Sequence, residues 1–204
     1  MTDKAKASRE KILLNEESFS YLFFEGSSPK NPIIFFHATG LNAATYLNLL
    51  TKIFEDFDGE RSIYAFDQRG HGLSLAEADH TKLKSWKQFS KEAISFLNSL
   101  DHESVDLMGH SMGGIVASEV ASQLKLKVQN LIMLEPVLYY APKDVIKLKL
   151  KNFLNFDDLS ASNKSSSAKQ RRNNFASFEE AIEHFTGRAM FASWPQESIM
   201  NYLE

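Results

Sequence analysis

Short apolar runs alternate with longer stretches in which apolar residues return at helical spacing through the first two thirds of the chain, the rhythm of an α/β domain. KILL (11–14) and SFSYLFF (18–24), separated by the polar NEE, predict an antiparallel hairpin. The continuous run IIFF (33–36) predicts a strand buried on both faces, followed by a helix over about 43–57. SIYAF (62–66) predicts the next strand. Trp86, Phe89, Ala93, Phe96, Leu97 and Leu100 form one apolar helical face, and Ser85 with Gln88 has capping-box spacing. VDLMG (105–109) and NLIMLEP (130–136) predict two more buried strands, joined by a helix from Met112 to about Lys125.

Past Pro136 the rhythm breaks. A stretch rich in lysine, serine and asparagine predicts a mobile loop near 157–174, and SFEEAIEHF, with Ser177 and Glu180 at capping-box spacing, predicts a helix. Pro195 opens a further helix carrying Ile199, Met200, Tyr202 and Leu203. The pattern divides the chain into a core over 1–136 and a helical region over 137–204.

Composition is that of an ordinary globular protein, 43% hydrophobic and 24% charged, with a net charge of −3 that argues against nucleic acid. The basic run 164–172 lacks interleaved aromatics and reads as a solvated face. The chain has no cysteine, which excludes disulfides and thiol nucleophiles. Without a signal-like or membrane-length apolar run, the chain reads as cytoplasmic and not membrane-bound. No metal site and no cofactor motif is evident.

Gly109-His110-Ser111-Met112-Gly113 fits G-x-S-x-G between a predicted strand and a predicted helix, the context that gives the motif meaning. So tight a turn requires small neighbours, Gly109 and Gly113, and lifts the Ser111 hydroxyl clear of the sheet. The helix behind it directs its free N–H groups at the same place, so the Met112 amide can bind an oxyanion. His37-Ala38-Thr39-Gly40 follows IIFF and can offer a second backbone donor at Thr39. Asp67-Gln68-Arg69-Gly70-His71-Gly72-Leu73-Ser74 follows SIYAF, and its glycines and opposite charges predict a tight turn cross-braced by paired charges. All three lie at strand C-termini, where open α/β sheets build their sites.

Together these segments resemble the α/β-hydrolase superfamily, in the branch with an HATG-type turn, a D-x-R-G-x-G-x-S segment and a GHSMGG elbow, over about 10–204. The resemblance implies a mostly parallel sheet with helices on both faces, an N-terminal antiparallel hairpin and a helical cap after the sixth strand. It implies that Ser111 is the nucleophile, that Met112 and Thr39 form the oxyanion hole, and that Asp67, Arg69 and His71 shape the site. Serine at the elbow argues against dehalogenase and epoxide-hydrolase activity.

The family's acid and histidine usually follow the seventh and eighth strands. Only six strands are predicted here, and two more β-α units need roughly 60 residues. The fold is therefore expected to be C-terminally incomplete and the general base absent. His184, in a predicted cap helix, and Glu135, at the end of the sixth strand, are the triad candidates that remain. His110 is expected to point away as the spacer, His37 and His71 to brace turns together with Gly40, and His80 and His102 to lie in surface loops. The leading expectation is a serine hydrolase acting on a small-molecule ester, thioester or lactone. A C–C bond hydrolase, an acyltransferase and a non-catalytic ligand-binding module are the alternatives. With nothing beyond the sixth strand, 129–135 is expected to be an edge, free of lysine, proline or bulge, through which copies self-associate or aggregate unless the cap folds over it.

Overall fold

The computed structural model describes residues 7–79, 85–138, 172 and 174–204. The predicted mobile loop near 157–174 therefore lies outside the described residues, apart from Arg172 and Asn174, and so does His80.

A six-stranded mixed sheet organises the chain. β1 (Ser8–Leu14) and β2 (Glu17–Phe24) form the predicted antiparallel hairpin, closed by Asn15 and Glu16 at φ 50° and 69°. Two successive left-handed residues suit the right-handed twist of paired strands. β3 (Ile33–Phe36), β4 (Ile63–Phe66), β5 (Ser104–His110) and β6 (Lys127–Leu134) complete the order β1-β2-β4-β3-β5-β6. β2 meets β4 antiparallel, and all pairs from β4 to β6 are parallel. This is the α/β-hydrolase fold.

Helices cover both faces because the central strands alternate between two cores. α2 (Lys87–Ser99) and α3 (Met112–Gln123) pack with Ile34, Phe36, Phe66 and Leu107 on one side. α1 (Leu47–Asp56), entered through a 3-10 turn at Ala44–Tyr46, packs Leu50 with Ile33, Phe35, Ile63 and Ala65 on the other. The predicted single helix over 43–57 is thus divided, a tight turn coming first. Phe19, Phe66 and Phe96 stack in series, with centroids 5.4 and 4.7 Å apart, joining hairpin, sheet and α2. Removing a ring from such a stack costs about 3–5 kcal/mol.

Two expectations about element ends need correction. The capping box at Ser85 and Gln88 does not form: Trp86 is the N-cap in a helical conformation, and the Gln88 amide donates instead to Glu92 Oε1 at 2.6 Å. The sixth strand starts at Lys127 rather than Asn130, and a register shift pairs Val128 with Val105 but Asn130 with Asp106, leaving Gln129 as a bulge. The stretch 129–135 therefore carries a bulge it was expected to lack, while the lysine, Lys127, enters with the strand's longer start. Asp106 causes this locally: its carboxylate accepts from Arg61 at 2.6 Å and from Asn130 at 3.0 Å, which fixes Asn130 opposite it.

The C-terminal residues form a small cluster of their own. α4 (Phe178–Phe185) and α5 (Gln196–Leu203), with a 3-10 turn at Ala189–Phe191, gather Phe185, Phe191 and Ile199 with Phe175, Trp194 and Tyr202. Ser177 caps α4 by accepting from Glu180 N–H at 3.2 Å, as its spacing predicts. Phe178, by contrast, is exposed. Asn42 Nδ2 donates to Tyr202 O at 3.0 Å, which ties the cluster to the start of the α1 region. Among the described residues no helix is long and apolar enough to cross a membrane.

Candidate active site

β5 ends at His110 and α3 begins at Met112, so the chain reverses within one residue. Ser111 takes φ 53°, ψ −115°, a left-handed backbone that costs a non-glycine residue about 1–3 kcal/mol. It is the N-cap of α3, yet its hydroxyl makes no capping bond. Its main chain is held from both sides: Ser111 N–H donates to Leu134 O at 2.9 Å, and Gly114 N–H donates to Ser111 O at 3.1 Å. The glycine requirement is steric. A Cβ on Gly109 would stand 2.2 Å from Gly113 O, and one on Gly113 would stand 2.1 Å from Phe36 O.

That second contact brings the 37–40 turn against the head of α3. Thr39 is exposed, and its hydroxyl donates to Met112 Sδ at 3.1 Å, so the two residues expected to supply backbone donors touch through their side chains. His37 is fully buried; its Nε2 accepts from Gln68 N–H at 3.0 Å and its Nδ1 lies 2.9 Å from Ala38 O. Burial pushes its pKa well below the ordinary range, and the neighbouring His71 adds to this. His71 Nε2 accepts from Gly40 N–H at 3.0 Å; burial also lowers its pKa, against a weaker opposing effect of its bond to Arg69 O.

Asp67 and Arg69 lie in the turn beside His37, but the expected pairing between them is absent. Each charge finds its partners on other elements. Asp67, fully buried, accepts from Arg9 at 2.7 Å, Ser20 Oγ at 2.5 Å and Ala43 N–H at 2.7 Å. Arg69 donates to Glu92 at 2.7 Å, to Glu77 O at 2.6 Å and to both oxygens of Glu17. The Arg69 side chain in turn holds the Glu17 carboxyl below its usual range. The cross-bracing thus runs between elements rather than within the turn.

The other histidines lie as follows. His110 Nδ1 stands 2.7 Å from the hydroxyl of Tyr46, which also accepts from Ala38 N–H at 3.2 Å. Burial pushes the Tyr46 phenol upward. His102 is half-buried rather than a surface residue, its Nε2 3.2 Å from the Tyr64 hydroxyl, because the 101–103 loop folds back onto β4. His184 sits on α4, its Nδ1 3.1 Å from Arg188, its ring against Phe175 at 5.3 Å. Glu135 is exposed just past β6 at φ 43°. The structure therefore brings Ser111, Met112, Thr39, Gly40, His37 and His71 together, and gives His184 other company. Tyr46, Gln68, Arg9, Glu17 and Glu92 were not singled out in the sequence. Tyr46 is hidden in an ordinary amphipathic pattern, and Arg9 precedes the run read as the first strand. No group of three acidic or histidine side chains able to hold a metal occurs among the described residues.

Residues 27–194 match the family model described as serine aminopeptidase, S33. The chain belongs to this family of α/β hydrolases. Among individual relatives, the chain is 28% identical over 121 residues to a 1-acylglycerol-3-phosphate O-acyltransferase of Rattus norvegicus, covering 58% of this chain and 33% of that protein. It is 31% identical over 122 residues to a putative esterase/lipase 2 of Mycoplasma genitalium, covering 58% and 43%. The thioesterase domain from the curacin biosynthetic pathway superposes with a TM-score of 0.70 at 19% identity, over 97% of this chain and 67% of that one. The chain thus spans about a third of the rat acyltransferase's length.

Proposed function

We propose that this S33-family chain carries the nucleophile and oxyanion-hole half of a serine hydrolase that acts on a small-molecule ester, thioester or lactone through an acyl-enzyme. The observation that supports this most is Ser111 itself: an N-cap serine in a left-handed conformation whose hydroxyl makes no capping bond. In this reading the Ser111 hydroxyl attacks the acyl carbon, and the Met112 and Thr39 amides receive the developing oxyanion. A general base accepts the hydroxyl proton, then passes it to the leaving group, and water releases the acyl group by the reverse sequence. His37, His71, His102 and His184 are engaged elsewhere, so the proposed base is none of them. The aromatic cluster of 175–202 is proposed as part of a cap that lines the acyl pocket.

Two alternatives rest on single observations. The rat relative's name favours acyl transfer, in which an alcohol replaces water on the same acyl-enzyme. The engagement of those four histidines favours a ligand-binding module without turnover. A fluorophosphonate probe separates the readings. It is expected to label the chain at Ser111 and to leave Ser111→Ala unlabelled, whereas a chain that resists the probe at saturating concentration is a binding module. Hydrolysis of p-nitrophenyl acetate is expected to be weak and to fall further in Ser111→Ala. Robust turnover lost in His184→Ala would replace this assignment with a cap-borne base.

A further inference from the structure

We propose that His37 and His71 are positioning residues: a reciprocal pair of neutral imidazoles that holds the 37–40 turn against α3, so that the turn is set for an oxyanion only while both rings are uncharged. This rests on the reading of Ser111 as nucleophile.

The two turns exchange bonds in both directions. The 67–71 turn gives Gln68 N–H to His37 Nε2 at 3.0 Å, and the 37–40 turn gives Gly40 N–H to His71 Nε2 at 3.0 Å. A backbone N–H only donates, so each Nε2 must present a lone pair. The opposite ring nitrogens each lie 2.9 Å from a main-chain carbonyl, Ala38 O and Arg69 O, and a carbonyl only accepts. Both Nδ1 atoms therefore carry the proton. Main-chain groups alone fix each ring as the same neutral tautomer. Gln68 closes the bracket by donating its side-chain N–H to His37 O at 2.9 Å.

Protonating either Nε2 would turn an acceptor into a donor facing a backbone N–H. The bond from Gly40 is one residue from Thr39, whose hydroxyl rests on Met112 at 3.1 Å. Loss of that bond therefore acts directly on the turn beside the head of α3. The rings are 4.9 Å apart, so a charge on one disfavours a charge on the other. Among the described residues, few other charges face them. Asp67 favours the charged form of His71, but its carboxylate is already bonded to Arg9. Arg69 turns its guanidinium away to Glu17 and Glu92, and α2 presents uncharged Phe89 to the His71 ring.

Ring 15N shifts test the tautomers. Both histidines are expected to be neutral and protonated on Nδ1 near neutral pH. A charged ring or the Nε2–H tautomer near neutral pH overturns the proposal. His71→Phe keeps the ring and loses the acceptor, whereas His71→Gln restores an acceptor near the Nε2 position. Fluorophosphonate labelling of Ser111 is expected to slow about ten-fold in His71→Phe and to recover in His71→Gln. Unchanged labelling in His71→Phe, with the melting temperature preserved, removes the positioning role and leaves Ser111 as nucleophile. If the unsubstituted chain is not labelled, the nucleophile reading fails, and exchange of the Gly40 amide decides the bracket alone. Faster exchange in His71→Phe supports it, and equal exchange refutes it. Should His71→Phe not fold, the wild-type tautomers and His71→Gln still decide.

Discussion

Ser111 and Ser177 are both N-cap residues, and they differ in what the hydroxyl does. Ser177 has an extended backbone, φ −150°, and spends its oxygen on Glu180 N–H. Ser111 is turned to φ 53° and keeps its oxygen out of the helix. Replacing Ser177 by alanine is expected to cost about 1 kcal/mol, visible as roughly five-fold faster amide exchange at the start of α4. Ser111→Gly is expected to do the opposite, relieving about 1 kcal/mol of backbone strain and raising the melting temperature by about 2–4 °C while abolishing probe labelling. The buried histidines add a pH dependence with a definite sign. Their folded pKa values lie below the ordinary 6.5, so the unfolded chain binds more protons between the two values. Their contribution is whole above about pH 6.5 and is lost as pH falls toward the folded values, by up to about 1.4 kcal/mol per unit for each ring. Melting temperatures measured from pH 7.5 to 5.5 are expected to fall, with a shallower slope in His37→Gln. The motif residues were legible in the sequence because turn chemistry is local. The partners of Asp67 and Arg69 were not, since Arg9 and Glu92 approach them only through the fold.

At the scale of elements, Arg69 joins the 67–71 turn to the start of β2 through Glu17 and to α2 through Glu92. Glu92 is buried, so Arg69→Met leaves a carboxylate with Gln88 as its remaining hydrogen-bond partner among the described residues and is expected to cost about 3–5 kcal/mol. Thermal melting of Arg69→Met against Arg69→Met/Glu92→Met checks this, the double variant being the more stable. The two capping boxes show where sequence reading ends. Identical spacing at 85–88 and 177–180 produces a cap only at the second, because Ser177 is the extended N-cap of its helix whereas the first helix has Trp86, already in a helical conformation, in that place. Strand six was located from its apolar centre, but its bulge lies where Asn130 bonds Asp106 in the neighbouring strand.

For the molecule as a whole, the fold was readable as a family resemblance because the three motifs at 37–40, 67–74 and 109–114 each follow a run with the pattern of a buried strand, whereas the strand order β1-β2-β4-β3-β5-β6 comes only from the structure. β6 is the last strand among the described residues, and Leu131, Ile132 and Met133 are each about 40% exposed. Lys127 and the bulge at Gln129 blunt only its first half. Self-association through 131–134 is therefore expected. Size-exclusion chromatography should show a concentration-dependent shift that Leu131→Lys suppresses, and a monomer at all concentrations would mean that the edge is protected.

The exposed apolar side chains of β6 also bear on how the chain responds to temperature. Leu131, Ile132 and Met133 are already partly hydrated in the native state, so unfolding uncovers less new hydrocarbon there than the length of the strand suggests. Monomeric protein should have a heat-capacity increment below the roughly 12–15 cal/mol/K per residue of fully covered domains, with a correspondingly low urea m-value. Its stability curve would be broad and shallow, changing little between refrigerator and body temperature.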